Sequence, residues 1–211
     1  MIDSFFTNAL AQKILPAIVF NREEDALPVA EAFLEAGLRV MEVPFRTPAA
    51  PQVVSRVRKT FPEMFTGAGT LLTAAAMQQA IDAGAQFGLS AGFRPAVCEE
   101  AIRRNFPFIP GVMTSSEIEQ AAAMGLLFQK VFPIHLIGGV NYIKAIQEPY
   151  KQLGVQFIPM GGISTSNCKE YLLLPTVVAI GGSWLAPKDL IERKDFRAIE
   201  KIVKEALALV S

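Results

Sequence analysis

Eight short apolar segments alternate with longer amphipathic segments along this sequence, and this alternation restricts the fold more than any other feature. The apolar segments have the length and composition of buried strands, and the amphipathic segments repeat apolar residues at helical spacing. A strand followed by a helix, repeated at intervals of roughly 25 residues, predicts a parallel sheet. The predicted strands are LPAIVF (15–20), RVMEVP (39–44), MFTGAG (64–69), QFGLSAG (86–92), PFIPGV (107–112), LFQKVFP (127–133), VQFIPMGG (155–162) and TVVAIGG (176–182).

Eight such units are the number that closes a barrel, so we predict an α/β protein with a (β/α)8 TIM barrel. No Pro- or Ser-rich linker interrupts the chain, which indicates a single domain over residues 1–211. The segment at residues 5–12 precedes the first strand, and we predict that it is a helix covering the bottom of the barrel. An open, doubly wound sheet is the alternative, because alternation alone does not require closure.

The charge pattern argues against a polyanionic partner. Twenty basic and twenty acidic residues cancel, and no block of Lys and Arg could form a stripe for nucleic acid. Cys98 and Cys168 fit no zinc or disulfide pattern. The N-terminal segment lacks the pattern of a secretion signal, and no apolar stretch reaches membrane-spanning length. We therefore expect a cytoplasmic protein with no nucleic acid and no membrane partner.

Unusual polar residues lie at the end of the predicted strands where a barrel carries its reactive groups. Glu42 lies near the end of the second strand, with Arg46 in the loop that follows. Thr70 follows the third strand, and Lys130 lies within the sixth. Because the C-terminal ends of all strands meet at one face of a barrel, these four side chains should point towards one mouth. An ion pair between Glu42 and Arg46 and a helix cap at Thr70 are the structural alternatives.

Lys130 interrupts an otherwise apolar segment, LFQKVFP. Lysine is almost never fully buried without a specific reason. Desolvation disfavours its ammonium form, and the neutral amine is a nucleophile towards carbonyl carbon. We therefore predict that Lys130 has a chemical role.

Two Gly-Gly pairs follow the last two predicted strands, in PMGGIST (159–165) and IGGSWL (180–185). The loops after strands seven and eight form the usual phosphate site of a barrel, where backbone N–H groups and a short helix N-terminus bind the dianion. Ser183 adds a hydroxyl at a predicted helix start. Relief of crowding at tight turns is the alternative explanation, but two pairs at these two positions favour a phosphate site.

Together these motifs resemble the 2-keto-3-deoxy-6-phosphogluconate (KDPG) and 4-hydroxy-2-oxoglutarate (KHG) aldolase family over nearly the whole chain. The family implies a class I aldolase of carbohydrate metabolism and the Entner-Doudoroff pathway, usually a homotrimer, that needs no metal and no cofactor. The resemblance is carried, in the family's order, by EVPFRT (42–47), GAGTLL (67–72), GAQFGLSAG (84–92), PFIPGVMTSSE (107–117), KVFP (130–133), GGIS (161–164) and IGGSWL (180–185).

The resemblance also implies a role for individual residues. Lys130 is the expected Schiff-base lysine, and Glu42 is the expected acid/base residue. Arg46 and Thr70 are expected to bind the carboxylate of the pyruvate portion. Phe132 is expected to pack beside the imine, with plain core packing as the alternative. The residues expected to hold the terminal phosphate are Gly161, Gly162, Gly182 and Ser183.

Three departures from the family pattern lie near the mouth. Ala91 stands where relatives commonly have proline, and Met160 replaces a hydroxyl that would face the substrate. His135, the only histidine, lies where small and acidic residues are usual, and we interpret it as a loop residue rather than a catalyst. The expected substrate is KDPG. The alternatives are KHG, the galactonate epimer 2-keto-3-deoxy-6-phosphogalactonate, and a barrel that binds phosphorylated sugars without turnover.

Overall fold

The computed structural model describes residues 2–210, and the side chains of residues 4–210. The first and last residues of the predicted domain, 1 and 211, therefore lie outside the described residues. The strands are β1 (Ile14–Pro16), β2 (Val40–Pro44), β3 (Phe65–Gly69), β4 (Phe87–Leu89), β5 (Phe108–Ile109), β6 (Gly111–Val112), β7 (Phe128–Val131), β8 (Gln156–Pro159) and β9 (Ile180–Gly182).

Helices follow the strands in the predicted alternation. Proline opens two of them in the first turn, where its missing N–H is tolerated. The helices are α1 (Ile2–Ala9), α2 (Ala26–Glu35), α3 (Ala50–Thr60), α4 (Ala74–Asp82), α5 (Pro95–Arg103), α6 (Ser115–Ala123), α7 (Val140–Lys151), α8 (Cys168–Leu172), α9 (Lys188–Glu192) and α10 (Phe196–Val210), with 3-10 turns at Glu23–Asp25 and Ile134–Ile137.

The parallel strands close into a ring. β2 to β5 pair in sequence, β6 to β8 pair in sequence, and β1 pairs with β9. An isolated bridge between Ala17 and Glu42 connects β1 to β2, and one between Met160 and Gly181 connects β8 to β9. β5 and β6 are two halves of the fifth barrel strand, separated by Pro110. The predicted (β/α)8 barrel is confirmed, and the open sheet is wrong.

Helix α1 covers the bottom of the barrel, as predicted, although it spans Ile2–Ala9 rather than residues 5–12. Phe6 is buried, and its ring packs against Phe87 and Phe128, which begin β4 and β7. Aromatic side chains bury large areas and dominate packing energy. The N-terminal end of the barrel is thereby sealed, and its interior is accessible from the opposite end.

The two faces of β7 are occupied by different neighbours. The Gln129 amide donates to the carbonyl of Ile118 in α6 at 3.2 Å, so Gln129 points towards the surrounding helices. Successive side chains of a strand point to opposite faces. Lys130 therefore points into the barrel, which is the orientation that its predicted role requires.

The buried cysteines form no recognisable metal or disulfide site. Cys98 and Cys168 are both free thiols, and burial raises the pKa of the Cys98 thiol to about 11. Among residues 2–210 there is no group of three or more His, Cys, Asp or Glu arranged to hold a metal ion. In the same part of the chain, every helix is too short or too polar to cross a bilayer.

Candidate active site

A cavity of about 310 Å³ opens at the C-terminal ends of the barrel strands. This volume lies at the lower end of the range for small-molecule sites. Nine of the ten predicted site residues line this cavity. The tenth, Gly162, is the next residue in sequence after Gly161, which does line it. The lining comprises Ala17, Glu42, Pro44, Arg46, Thr70, Ala91, Lys130, Phe132, Met160, Gly161, Gly182 and Ser183.

Lys130 and Glu42 form an ion pair inside this cavity. The Lys130 Nζ lies 3.6 Å from Oε1 of Glu42, and the two side chains are only 8% and 1% exposed. Nζ also lies 5.3 Å from the centre of the Phe132 ring, within range of a cation–π contact. Phe132 is exposed, so it forms part of the cavity wall and the interpretation of it as plain core is wrong.

One carboxylate oxygen of Glu42 is buried without a partner. Oε2 has no hydrogen-bond acceptor or donor within residues 2–210. Such a group is costly to leave unpaired, and its occurrence in a folded protein calls for an explanation. A substrate hydroxyl or a water that enters the cavity would satisfy it.

Gly69 makes room for the Glu42 carboxylate, a role that the sequence analysis missed. A Cβ at position 69 would lie 1.7 Å from Oε1 of Glu42, far inside van der Waals contact. Gly69 ends β3 beside the end of β2, where it pairs with Pro44. The signal in the sequence is that β3, the strand beside the one that carries Glu42, ends in a glycine.

Arg46 and Thr70 lie on the loops after β2 and β3. The Arg46 guanidinium is exposed and makes no hydrogen bond or ion pair to the described residues, so the proposed Glu42–Arg46 ion pair is wrong. Thr70 adopts a left-handed backbone with φ of +58°, which is strained for a β-branched residue. Thr73, and not Thr70, caps α4. Arg46 is therefore not held in a structural ion pair with Glu42, and Thr70 is not a helix cap.

The two Gly-Gly loops border the same side of the cavity. Gly161 and Gly162 have φ of +92° and +75°, which favours glycine. The backbone N–H groups of Gly162 and Ser183 have no protein acceptor among residues 2–210. The predicted helix start at Ser183 is wrong, because α9 begins at Lys188. An anion at this site would therefore be bound by the unpaired N–H groups of the loops and not by a helix N-terminus.

A larger cavity of about 640 Å³ lies outside the barrel, between α3 and α4. Its walls include Thr47, Gln52 and Asp82, but no lysine, arginine or histidine. It therefore lacks both a nucleophilic amine and a cation for a carboxylate or phosphate. The Lys130–Glu42 pair lies in the smaller cavity.

Comparisons with known proteins agree with this geometry. The model of the family described as "KDPG and KHG aldolase" matches residues 5–202. The chain belongs to this aldolase family. A relative named "2-dehydro-3-deoxy-phosphogluconate aldolase" from Treponema pallidum is 39% identical, over 94% of this chain and 93% of its own length. A "KHG/KDPG aldolase" from Escherichia coli is 40% identical, over 92% of this chain and 90% of its own length.

Solved aldolases of the family have the same fold. The KDPG aldolase from Legionella pneumophila, solved with pyruvate captured as a covalent carbinolamine, matches with a TM-score of 0.92 and 35% identity, over 100% of this chain and 98% of its own. The Zymomonas mobilis KDPG aldolase with 3-phosphoglycerate matches with a TM-score of 0.90 and 34% identity, over 99% and 95%. The barrel of this chain is thus the barrel of the KDPG and KHG aldolases.

Proposed function

We propose that this protein is a class I aldolase, a metal-independent lyase, that cleaves KDPG to pyruvate and glyceraldehyde 3-phosphate. The observation that carries the proposal is the buried Lys130 amine, 3.6 Å from Glu42, in a cavity at the barrel mouth. The Legionella relative, which holds pyruvate as a covalent carbinolamine, supports the same chemistry here. The names of two relatives, one of them also named for KHG, support KDPG as the substrate.

Lys130 supplies the electron sink in this proposal. The Lys130 ammonium loses a proton to water, and the neutral amine attacks the C2 ketone of the substrate. The carbinolamine hydroxyl takes up a proton from water and leaves as water, which gives a protonated imine and keeps Glu42 ionised. When the C3–C4 bond breaks, its electron pair moves to C3 and the imine becomes an enamine. Protonation of the enamine at C3 and hydrolysis of the imine release pyruvate and regenerate the amine.

Glu42 is the base for bond cleavage. Its unpartnered Oε2 removes the proton of the C4 hydroxyl, directly or through one water, as the aldehyde leaves. The same carboxyl group can then return a proton in a later step. Burial against Lys130 holds the carboxylate in place for this transfer.

Candidate binding groups line the same cavity as the Lys130–Glu42 pair. The unpaired guanidinium of Arg46 can bind two carboxylate oxygens at once, and Thr70 adds a hydroxyl beside it. The free N–H groups of Gly162 and Ser183, on the loops after β8 and β9, suit the terminal phosphate. Met160 is buried, and it gives the intervening wall an apolar surface.

The substrate is tested by following pyruvate formation, coupled to lactate dehydrogenase. KDPG is expected to have a higher kcat/KM than KHG, because only phosphorylated substrates use the free N–H groups of both loops, and a higher one than the galactonate epimer, because the relatives are named for the gluconate compound. The kcat/KM of unphosphorylated KHG should be lower than that of KDPG by at least about tenfold, because KHG loses one to two hydrogen bonds to a charged group. Faster turnover of KHG would instead make KHG the substrate, and no pyruvate from any of the three would indicate a binding barrel without turnover.

We further propose that residues 1–211 form one cytoplasmic aldolase domain that assembles as a homotrimer. Leu72, Met113 and Leu136 expose 49%, 41% and 72% of their surface on loops around the mouth, and exposed apolar patches mark interaction sites. Sedimentation equilibrium should return three times the chain mass of 22.9 kDa. A concentration-independent monomer mass would contradict the trimer without affecting the chemistry.

A further inference from the structure

The 3-10 turn after β7 is fastened to the first Gly-Gly loop by its backbone. The N–H of Ile134 donates to the carbonyl of Met160 at 2.9 Å, and the N–H of His135 donates to the carbonyl of Gly161 at 3.3 Å. Ile134 is fully buried and anchors the turn. The position of His135 relative to Gly161 and Gly162 is therefore fixed without any contribution from its imidazole.

The His135 side chain lies directly against Gly162. A Cβ at position 162 would lie 2.5 Å from Cβ of His135 and 3.0 Å from its Nδ1. The imidazole thus occupies the space that a side chain at position 162 would take. Its ring nitrogens make no hydrogen bond to residues 2–210, and the residue is exposed.

On the loops that form the proposed phosphate site, His135 is the side chain that can carry a positive charge, whereas Lys188, which begins α9, lines a separate cavity with Ser183 and Arg46. Segments 133–139, 159–168 and 180–187 contain no lysine and no arginine. Arg46 and Lys130 are used by the carboxylate and the imine in the proposed reaction. A neutral imidazole carries one N–H and its cation carries two, so the ring can donate to a phosphate oxygen in either form.

We propose that His135 is a specificity-determining residue of this aldolase, which binds the terminal phosphate of the substrate beside the N–H groups of Gly162 and Ser183. The proposal rests on the proposed function, and it assigns to this chain a phosphate contact where the family usually has small and acidic residues. The exposed ring contributes no contact that the fold requires, since the backbone fastens the turn.

The test compares a phosphorylated ligand with one that lacks phosphate. His135→Leu should raise the KM for KDPG roughly three- to tenfold, the effect of losing one hydrogen bond to a charged group at an exposed position. The kcat should not change, because the ring does not touch the reacting atoms. The pyruvate concentration that gives half-maximal borohydride trapping should not change either. His135→Lys, which restores a cationic donor, should return the KM for KDPG to within about twofold of the unmodified protein.

The control is Asn141→Leu, which makes the same kind of replacement at an exposed position in the first turn of α7. It should leave the KM for KDPG unchanged. An unchanged KM in His135→Leu overturns the inference, as does an equal change in KDPG and pyruvate affinity, which indicates a structural role. If the unmodified protein neither turns over KDPG nor traps pyruvate, the proposed function itself has failed, and this inference falls with it.

Discussion

Lys130→Ala is expected to abolish pyruvate release from KDPG and the covalent adduct that borohydride traps with pyruvate. Among the described residues, Lys130 is the only lysine that lines the cavity, so its amine is the group there that can form an imine. Without the imine, the electrons of the breaking C3–C4 bond have no acceptor. The loss in kcat/KM should be at least about 10⁴-fold, as for the removal of other covalent catalysts.

The adduct is measured by mass spectrometry of the intact protein and located by peptide mapping. The control is Lys201→Ala on α10, an exposed lysine that pairs with Glu205 at 4.0 Å, and this variant should leave the adduct and the rate unchanged. Lys130→Ala also leaves the Glu42 carboxylate buried without a cation, which destabilises a fold. Near-UV circular dichroism therefore has to show that the variant is folded. An adduct that persists in folded Lys130→Ala would overturn the assignment.

The barrel could be predicted from the sequence because parallel strands covered on both faces form nearly continuous apolar segments. Each of the eight predicted strands overlaps an observed one. Lys130 was identifiable for the same reason, since a cation is conspicuous in a segment that is otherwise buried. The confirmed position of α1 followed from one amphipathic segment left over before the first strand.

Loop geometry could not be predicted to the same degree. The predicted helix start at Ser183 failed because residues 183–187 form a turn, and α9 begins only after Pro187. The fifth strand is divided at Pro110, which has no N–H to donate to a neighbouring strand. Such details depend on tertiary contacts, and local residue patterns do not specify them.

The role of Gly69 could not be predicted for a different reason. A glycine at the end of β3 is consistent with a turn, with close packing or with ligand approach. Only the three-dimensional structure places its Cα against the carboxylate of Glu42, a residue 27 positions earlier. The sequence identified the reactive pair, whereas the glycine that allows the pair to form became recognisable from the packing.

Glu42→Gln is expected to separate imine formation from bond cleavage. The amide keeps the shape of the side chain but cannot accept the proton of the C4 hydroxyl. Pyruvate should still be trapped on Lys130, while kcat for KDPG cleavage should fall by about 10²- to 10⁴-fold, the usual contribution of a general base. Rapid-quench measurements of adduct formation and of aldehyde release on the same variant distinguish the two steps.

Gly69→Ala provides a second route to the same defect, because its Cβ would displace the Glu42 carboxylate without removing it. Displacement of about 1 Å can cost a factor of 10² in rate, so kcat should again fall while trapping survives. Gly92→Ala is the matched control, since a Cβ there meets no atom within 4 Å. If both Glu42→Gln and Gly69→Ala retain full kcat, Glu42 only balances the charge of Lys130, and the base must be a water held by the substrate.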